Sequence, residues 1–440
     1  MPKRQTVSDF RYSSGAARVP WAAVGEPVRE ADAAGILRFL LKPAPGREAL
    51  YERRFARVRK ALADLRGVAK HAGKLTLGGE VASLEQRAAR FLGTKHTVFL
   101  TNWTAAAEIV YRYVGLRPGD EVIAPAITFI ATIAYPLAVG AKVVLADVDP
   151  RTLNMDPADV RRKITRRTRI IVPVHLGGYP ADMDPLMRLG RAHGITVFED
   201  AAHAFGARYK GRMCGAIGDF GAFSFHEVKN VTAMGEGGLL CTRLPFGAHL
   251  SKARFLGLDL SRQIPQWLYD VTAIKGRRGW FAAGNHSATE IQALGLTLQM
   301  GRIRGIIAER RRAAQYLSSR LARVPGIVVP PLDGRGRTSS HHLYLLQVDP
   351  DRLGADVQAL KAKLAERGIV QIPHFAPLYK FSVMRQLGYD TAALQSSCPV
   401  AEEAFRHRFT HLPLYPFDVG QLRYMADMVT EAAAELRAGR

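Results

Sequence analysis

The sequence predicts an α/β fold: a mostly parallel central sheet in a large domain, followed by a smaller C-terminal α+β domain. Three observations predict it. The chain has 440 residues, more than the roughly 100–200 of a usual single domain. Over residues 98–240, apolar runs of strand length alternate with amphipathic helical stretches, which is the pattern of βαβ units covered by helices on both faces. From about residue 287 the alternation gives way to long helical segments and a mixed tail. This reading assigns residues 1–285 to an N-terminal segment plus the large domain, and residues 286–440 to the small one.

Taken in order, residues 27–41 and 47–68 read as helices, and HAGKLTLGGEV at residues 71–81 as a connecting loop. The alternating region then runs through a strand HTVFL, a helix TAAAEIVYRYV closed by the turn RPGD, a strand EVIAPA, a helix from Phe129 and a strand AKVVLADV. A helix over residues 156–164, the strand RIIVPVHL, the helix DPLMRLGRAHG and the strand ITVFED follow, then GAFSF and GGLLCT. The β-branched runs suit strands, and the 3.6-residue spacing of apolar positions suits the helices between them. Downstream, residues 288–324 read as one long helical stretch ended by Pro325-Gly326. The remainder reads as a strand HHLYLLQVD, a helix DVQALKAKLAERG, an extended VQIPHF and a last helix VGQLRYMADMVTEAAAELRA.

Composition sets outer limits. Hydrophobic residues at 48% and charged residues at 23% place the chain among folded globular proteins rather than disordered ones. No run of about 18 apolar residues occurs, and MPKRQTVSDFRYSS has no apolar stretch behind its basic residues, so the expectation is a cytoplasmic protein without a membrane segment. Cys214, Cys241 and Cys398 lie far apart without metal-site spacing, which implies reduced core thiols and no metal centre. Lys and Arg total 62 against 39 Asp and Glu, a net charge of +23. The basic residues fall in short clusters such as Arg161-Arg162-Lys163 and Arg310-Arg311-Arg312. That distribution reads as solvated helix faces and a bias toward phosphate-bearing substrates, with nucleic acid as the alternative partner.

The chemistry lies in an ordered set: a strand ending in Glu199-Asp200, then Ala201-Ala202-His203, then SFHEVKN at residues 224–230, then Gly235-Glu236-Gly237-Gly238. A carboxylate at the C-terminal end of a parallel strand faces the crevice where open α/β sheets bind ligands. Such an anion keeps a pyridine nitrogen protonated, which suits Asp200. A lysine on a glycine-flanked loop can form a Schiff base with an aldehyde, and its free amine can carry a proton, which suits Lys229. Taken singly, a strand-end Asp is usually a helix cap and a lysine usually solvated; the combination carries the reading.

These segments resemble the signature of the DegT/DnrJ/EryC1/StrS sugar aminotransferase family, within fold type I of the pyridoxal-phosphate enzymes. The resemblance rests on EDAAHAFGARYKGR, GDFGAFSFHEVKN and GEGG, and on TNWTAAAE, GDEVIAPAITFIAT, DVDPRTLNMDP, VPVHLGGYPADMD, GNHSATEIQALGL and HLPLYP in the same order. It covers residue 78 to the C-terminus. It implies pyridoxal 5′-phosphate as cofactor, bound covalently by the catalytic Lys229. Thr104 and Ala105 then correspond to the phosphate-holding turn, an anion site at a helix N-terminus. Ser224 corresponds to a further phosphate ligand, Phe129 to the aromatic stacked on the pyridine ring, Asp200 to the partner of the ring nitrogen, and His203 to the group near the phenolic oxygen.

Asn285 corresponds to an asparagine that reaches the neighbouring subunit's cofactor, which implies a homodimer with shared active sites. Ser287 and Ala288 replace the usual Arg and Met there, and His374-Phe375 and Leu378-Tyr379 depart from the usual HY and LH of a substrate-proximal loop. The implied reaction moves an amino group from glutamate or glutamine to a keto-sugar, nucleotide-linked, or to a cyclitol ketone. A dehydratase of the same scaffold would have histidine in place of Lys229. The alternative from another class is a basic nucleic-acid-binding or regulatory protein on a repurposed fold.

Overall fold

The computed structural model describes residues 28–439, apart from 70–74, 263, 266, 268, 372–374 and 415–416. The described residues fall into two compact units, one within residues 1–78 and one within 79–440. The first contains helices α1 (Glu30–Leu40) and α2 (Glu48–Arg66), which pack on each other. Arg66 holds Glu30 at 3.0 Å, and Arg38 pairs with Glu52.

In the second unit, seven strands form the central sheet: β1 (His96–Leu100), β2 (Glu121–Pro125), β3 (Lys142–Ala146), β4 (Thr168–Ile171), β5 (Thr196–Asp200), β6 (Phe220–Ser224) and β7 (Gly238–Thr242). Their spatial order is β1-β7-β6-β5-β4-β2-β3. Only β7 runs antiparallel to its neighbours. Helices α3 (Gly79–Leu92), α4 (Trp103–Val114), α5 (Ala131–Ala138), α6 (Pro157–Lys163) and α7 (Met183–His193) lie between the strands or precede them. Apolar clusters form on both faces of the sheet, one around Phe99, Val197 and Phe223, the other around Val98, Phe198 and Phe220. The alternation of side chains along each strand divides the residues in this way. Each such fully buried side chain contributes about 1.5–3 kcal/mol, and this core holds the polar sheet edge in place.

Local chemistry sets the boundaries. Asn102 caps α4 by accepting from the Ala105 amide at 2.9 Å, and Gly115, at φ +71°, ends it. Strand β4 stops at Ile171, short of the expected RIIVPVHL, because Pro173 has no N–H for a ladder. The expected long helix is two, α8 (Glu290–Met300) and α9 (Ile303–Leu321), with Gly301, a poor helix former, at the break.

The C-terminal lobe is a three-stranded antiparallel sheet of β8 (Ile327–Val328), β9 (Tyr344–Val348) and β10 (Phe409–Leu412), packed with α9, α10 (Val357–Glu366) and α11 (Val419–Ala438). Part of the segment expected to be extended, residues 372–374, lies outside the described residues. All three cysteines are free and buried. No helix among the described residues is long and apolar enough to cross a membrane.

Candidate active site

Because β1, β2, β5 and β6 run the same way, their C-terminal ends share one edge of the sheet, where antiparallel β7 begins. That edge collects the expected residues: the cap of α4 after β1, Phe129 after β2, Asp200 at the end of β5, Ser224 at the end of β6, and Lys229 between β6 and β7. Ser224 pairs with Gly238, which pairs in turn with Leu100. A side chain on Gly238 would lie 2.1 Å from the Asn102 carbonyl oxygen, so only glycine lets β7 start this close to the α4 cap.

Lys229 is half-buried, and desolvation pushes its ammonium down to about 8, against the opposing pull of the Asp200 charge. Its amide donates to the His226 carbonyl at 2.9 Å, within a loop closed by the Phe225 to Gly237 and Ala233 to Phe225 backbone bonds. Asp200 is buried, and burial raises its carboxyl above the usual range. The Ala202 amide, the Thr132 hydroxyl and the charge of Lys229 pull the other way. The Thr132 hydroxyl donates to Asp200 Oδ2 at 2.9 Å and the Ala202 amide to Oδ1 at 3.1 Å. No cationic side chain lies within ion-pair distance of Asp200 among the described residues.

The remaining expected residues fall as follows. Thr104 is exposed at the first turn of α4, and the amides of Trp103 and Thr104 have no acceptor among the described residues. The Ala105 amide donates to the Asn102 side chain at 2.9 Å. Phe129 is 61% exposed, not packed in the core. The His203 ring lies 4.6 Å from that of His342 and 5.7 Å from that of Phe375. Asn285 is exposed, its side chain accepting from the Ser287 amide and hydroxyl at 3.1 and 2.9 Å. Residues 286 and 287 run beside Leu100 and Thr101 at the end of β1. His374 lies outside the described residues. Leu378 and Tyr379 are buried, the Tyr379 hydroxyl on Glu402 at 2.6 Å, so these two belong to the packing rather than to an open loop.

Three groups escaped the sequence reading. Thr132, which also bonds Thr128 at 3.0 Å, is the second residue of α5 and closes the segment GDEVIAPAITFIAT, where the sequence singles out only Phe129. Asn230 donates to the Ser340 carbonyl at 2.8 Å and contacts His342 Nδ1 at 2.9 Å, while the Ser340 hydroxyl donates to the His203 carbonyl. The C-terminal lobe thereby grips the residue next to Lys229. Glu199 meets buried His175 at 2.9 Å and accepts from the amides of Gly215, Ile217 and Gly218. Their juxtaposition depends on chain closures of roughly 20 to 110 residues; only the doublet Glu199-Asp200 hinted at it.

The model of the DegT/DnrJ/EryC1/StrS aminotransferase family matches residues 58–423. The chain belongs to this family. It is 36% identical over 355 residues to the spore coat polysaccharide biosynthesis protein SpsC of Bacillus subtilis (strain 168), covering 78% of this chain and 87% of that protein. Among solved structures it resembles the aminotransferase TlmJ from Streptoalloteichus hindustanus at 30% identity and a TM-score of 0.72, covering 87% of this chain and 96% of TlmJ. Spr1654 from Streptococcus pneumoniae, solved in its PLP form, gives 28% identity and a TM-score of 0.72 over 83% of this chain and 94% of that one.

The fold is therefore fold type I, and the chain is a pyridoxal-phosphate-dependent aminotransferase of a sugar aminotransferase family. The residues at the sheet edge fit the cofactor. A buried carboxylate without a cation suits a protonated ring nitrogen, and free amides at the start of α4 suit a phosphate.

Proposed function

We propose that this aminotransferase moves an amino group from glutamate or glutamine to a keto-sugar carried on a nucleotide, or to a cyclitol ketone, with Lys229 holding the cofactor and serving as acid and base. The observation that carries this reading is the placement of half-buried Lys229 on the sheet edge it shares with buried Asp200, where desolvation depresses its ammonium. A lysine with its pKa near 8 presents a substantial fraction of neutral amine near physiological pH, able to attack a carbonyl carbon and to pass a proton. The bound cofactor supplies an electron sink for the bonds at the amino-bearing carbon. Asp200 is assigned to hold the ring's positive charge, Thr132 to orient Asp200, and the first turn of α4 with Thr104, Ala105 and Ser224 to hold the phosphate. Phe129 and His203 are assigned to the ring, and Asn285 to a partner subunit's site in a homodimer. The net charge of +23 supports a phosphate-bearing substrate, since long-range attraction raises the encounter rate with an anion.

Borohydride reduction followed by peptide mapping tests the role of Lys229, and the cofactor should be recovered on that residue. A label on another lysine, or on the Lys229→Ala variant, would overturn the assignment. The amino form of the enzyme, offered a panel of keto-sugars, nucleotide-linked keto-sugars and cyclitol ketones, should turn over at least one of them. Its rate should rise with pH as the lysine loses its proton near 8. Failure with all of these alongside turnover of simple keto acids would remove the sugar from the proposal.

A further inference from the structure

Away from the crevice, an open cleft of about 420 Å³ lies between the turn after β3 and residues 331–337. That volume falls in the range of small-molecule sites, roughly 300–1,000 Å³. Arg151, Arg335 and Arg337 line it together with Tyr179, and Pro331 and Leu332 form an apolar wall.

The charges there are unequally paired. Arg337 lies 3.2 Å from Asp182, with its guanidinium over the rings of Tyr179 and Tyr209 at 5.8 and 5.5 Å. Asp333 is taken by Arg311 at 2.8 Å and His341 at 3.3 Å. Asp149 accepts from the Arg151 and Thr152 amides and from the Thr152 hydroxyl. Arg151 and Arg335 are exposed and have no ion-pair partner among the described residues.

The backbone supports the same reading. Gly334 and Arg337 exchange both hydrogen bonds at 2.9 Å, closing a two-residue turn with Arg335 at φ +49° and Gly336 at φ +75°. Asn or Gly is the usual occupant of the first left-handed position of such a turn. An arginine there accepts strain at a place that presents its guanidinium to the cleft, and strained side chains of this kind concentrate at ligand sites.

We propose that this cleft binds an organic phosphate of about nucleotide size, its phosphate gripped by Arg151 and Arg335 and its ring laid on Pro331 and Leu332 beside Tyr179. Guanidinium groups suit this because their paired N–H donors match phosphate oxygens. A volume of about 420 Å³ suits a small molecule rather than a nucleic-acid strand. The cleft continues into a cavity lined by Ser339 and His341, while the alternate residues Ser340 and His342 turn to His203 and Asn230. A ligand here therefore packs against the strip that grips the neighbour of Lys229.

The test uses holoenzyme with UDP, inorganic pyrophosphate and uridine as probes, read by calorimetry and by amide exchange over residues 331–341. Arg335→Gly removes the guanidinium and relieves the turn, so its thermal stability should equal or exceed that of the wild type, and any loss of binding is not a loss of fold. UDP should slow exchange in residues 331–341, and Arg151→Ala with Arg335→Gly should weaken that binding at least tenfold. Uridine should not bind. Protection confined to residues 224–230, or equal affinity in the double variant, would place UDP only in the crevice and overturn the proposal. Pyrophosphate binding as tightly as UDP would overturn the claim that a ring is recognised. Duplex DNA displacing UDP from the cleft would assign the arginines to nucleic acid instead.

Discussion

Glu199 and Asp200 are consecutive carboxylates at the end of one strand, yet they lie in opposite surroundings. Glu199 is fully buried and meets His175 and three backbone amides, so every lone pair has a partner. The Ala181 amide donates to His175 Nδ1, which leaves Nε2–H to donate to Glu199. Asp200, on the other face, has one hydroxyl and one amide, and its burial outweighs the pull of the Lys229 charge, which lies beyond ion-pair distance. A fully satisfied buried carboxylate organises the chain around it. An under-satisfied one at a crevice keeps a charge in reserve for a ligand. The difference arises from strand alternation alone, which sends neighbouring residues to different layers.

This contrast is broken most severely at Asp200. Asp200→Asn should cut turnover roughly 10²- to 10³-fold, the usual loss for a removed electrostatic group, while the apoprotein melts no lower than wild type. The sign follows from linkage. A carboxyl whose folded pKa is raised keeps its proton in the folded state to higher pH, so stability falls as pH rises above the ordinary carboxylate range. Asparagine lacks that loss. Wild-type turnover of this variant, or a lower melting temperature at neutral pH, would refute the division of roles.

Glu199→Gln should give the converse. The amide nitrogen of Gln would face the Gly215, Ile217 or Gly218 N–H groups, donor against donor, at a cost of about 3 kcal/mol in folding. Denaturant unfolding measures it. Activity per folded molecule should stay within a few-fold of wild type, and a large loss of turnover with normal stability would put Glu199 in the reaction.

The smallest effect belongs to Thr132→Val, which keeps the shape and removes one donor to Asp200. A single such bond is worth about 1 kcal/mol, roughly a fivefold change. It should appear in the half-reaction rate, with the fold intact. No change in rate would show that the Ala202 amide alone orients Asp200.

Much of this was legible from residues in order. The parallel sheet followed from strand-length apolar runs, and the positions of Asp200, Ser224 and Lys229 at a sheet edge followed from motifs that end strands. Periodicity is local, so a linear reading captures it. It could not show that Pro173 and Gly301 interrupt their elements where they do, or that Asn102 claims the Ala105 amide.

Only the tertiary structure decided that Thr132 reaches Asp200 across 68 positions, that Asn230 is held from residues 340–342, and that Tyr379 turns inward to Glu402. None of these pairs has a pattern of its own in the chain. Each exists because burial in a shared core brings two distant segments within hydrogen-bond reach, where a polar side chain must find a partner or raise the cost of folding.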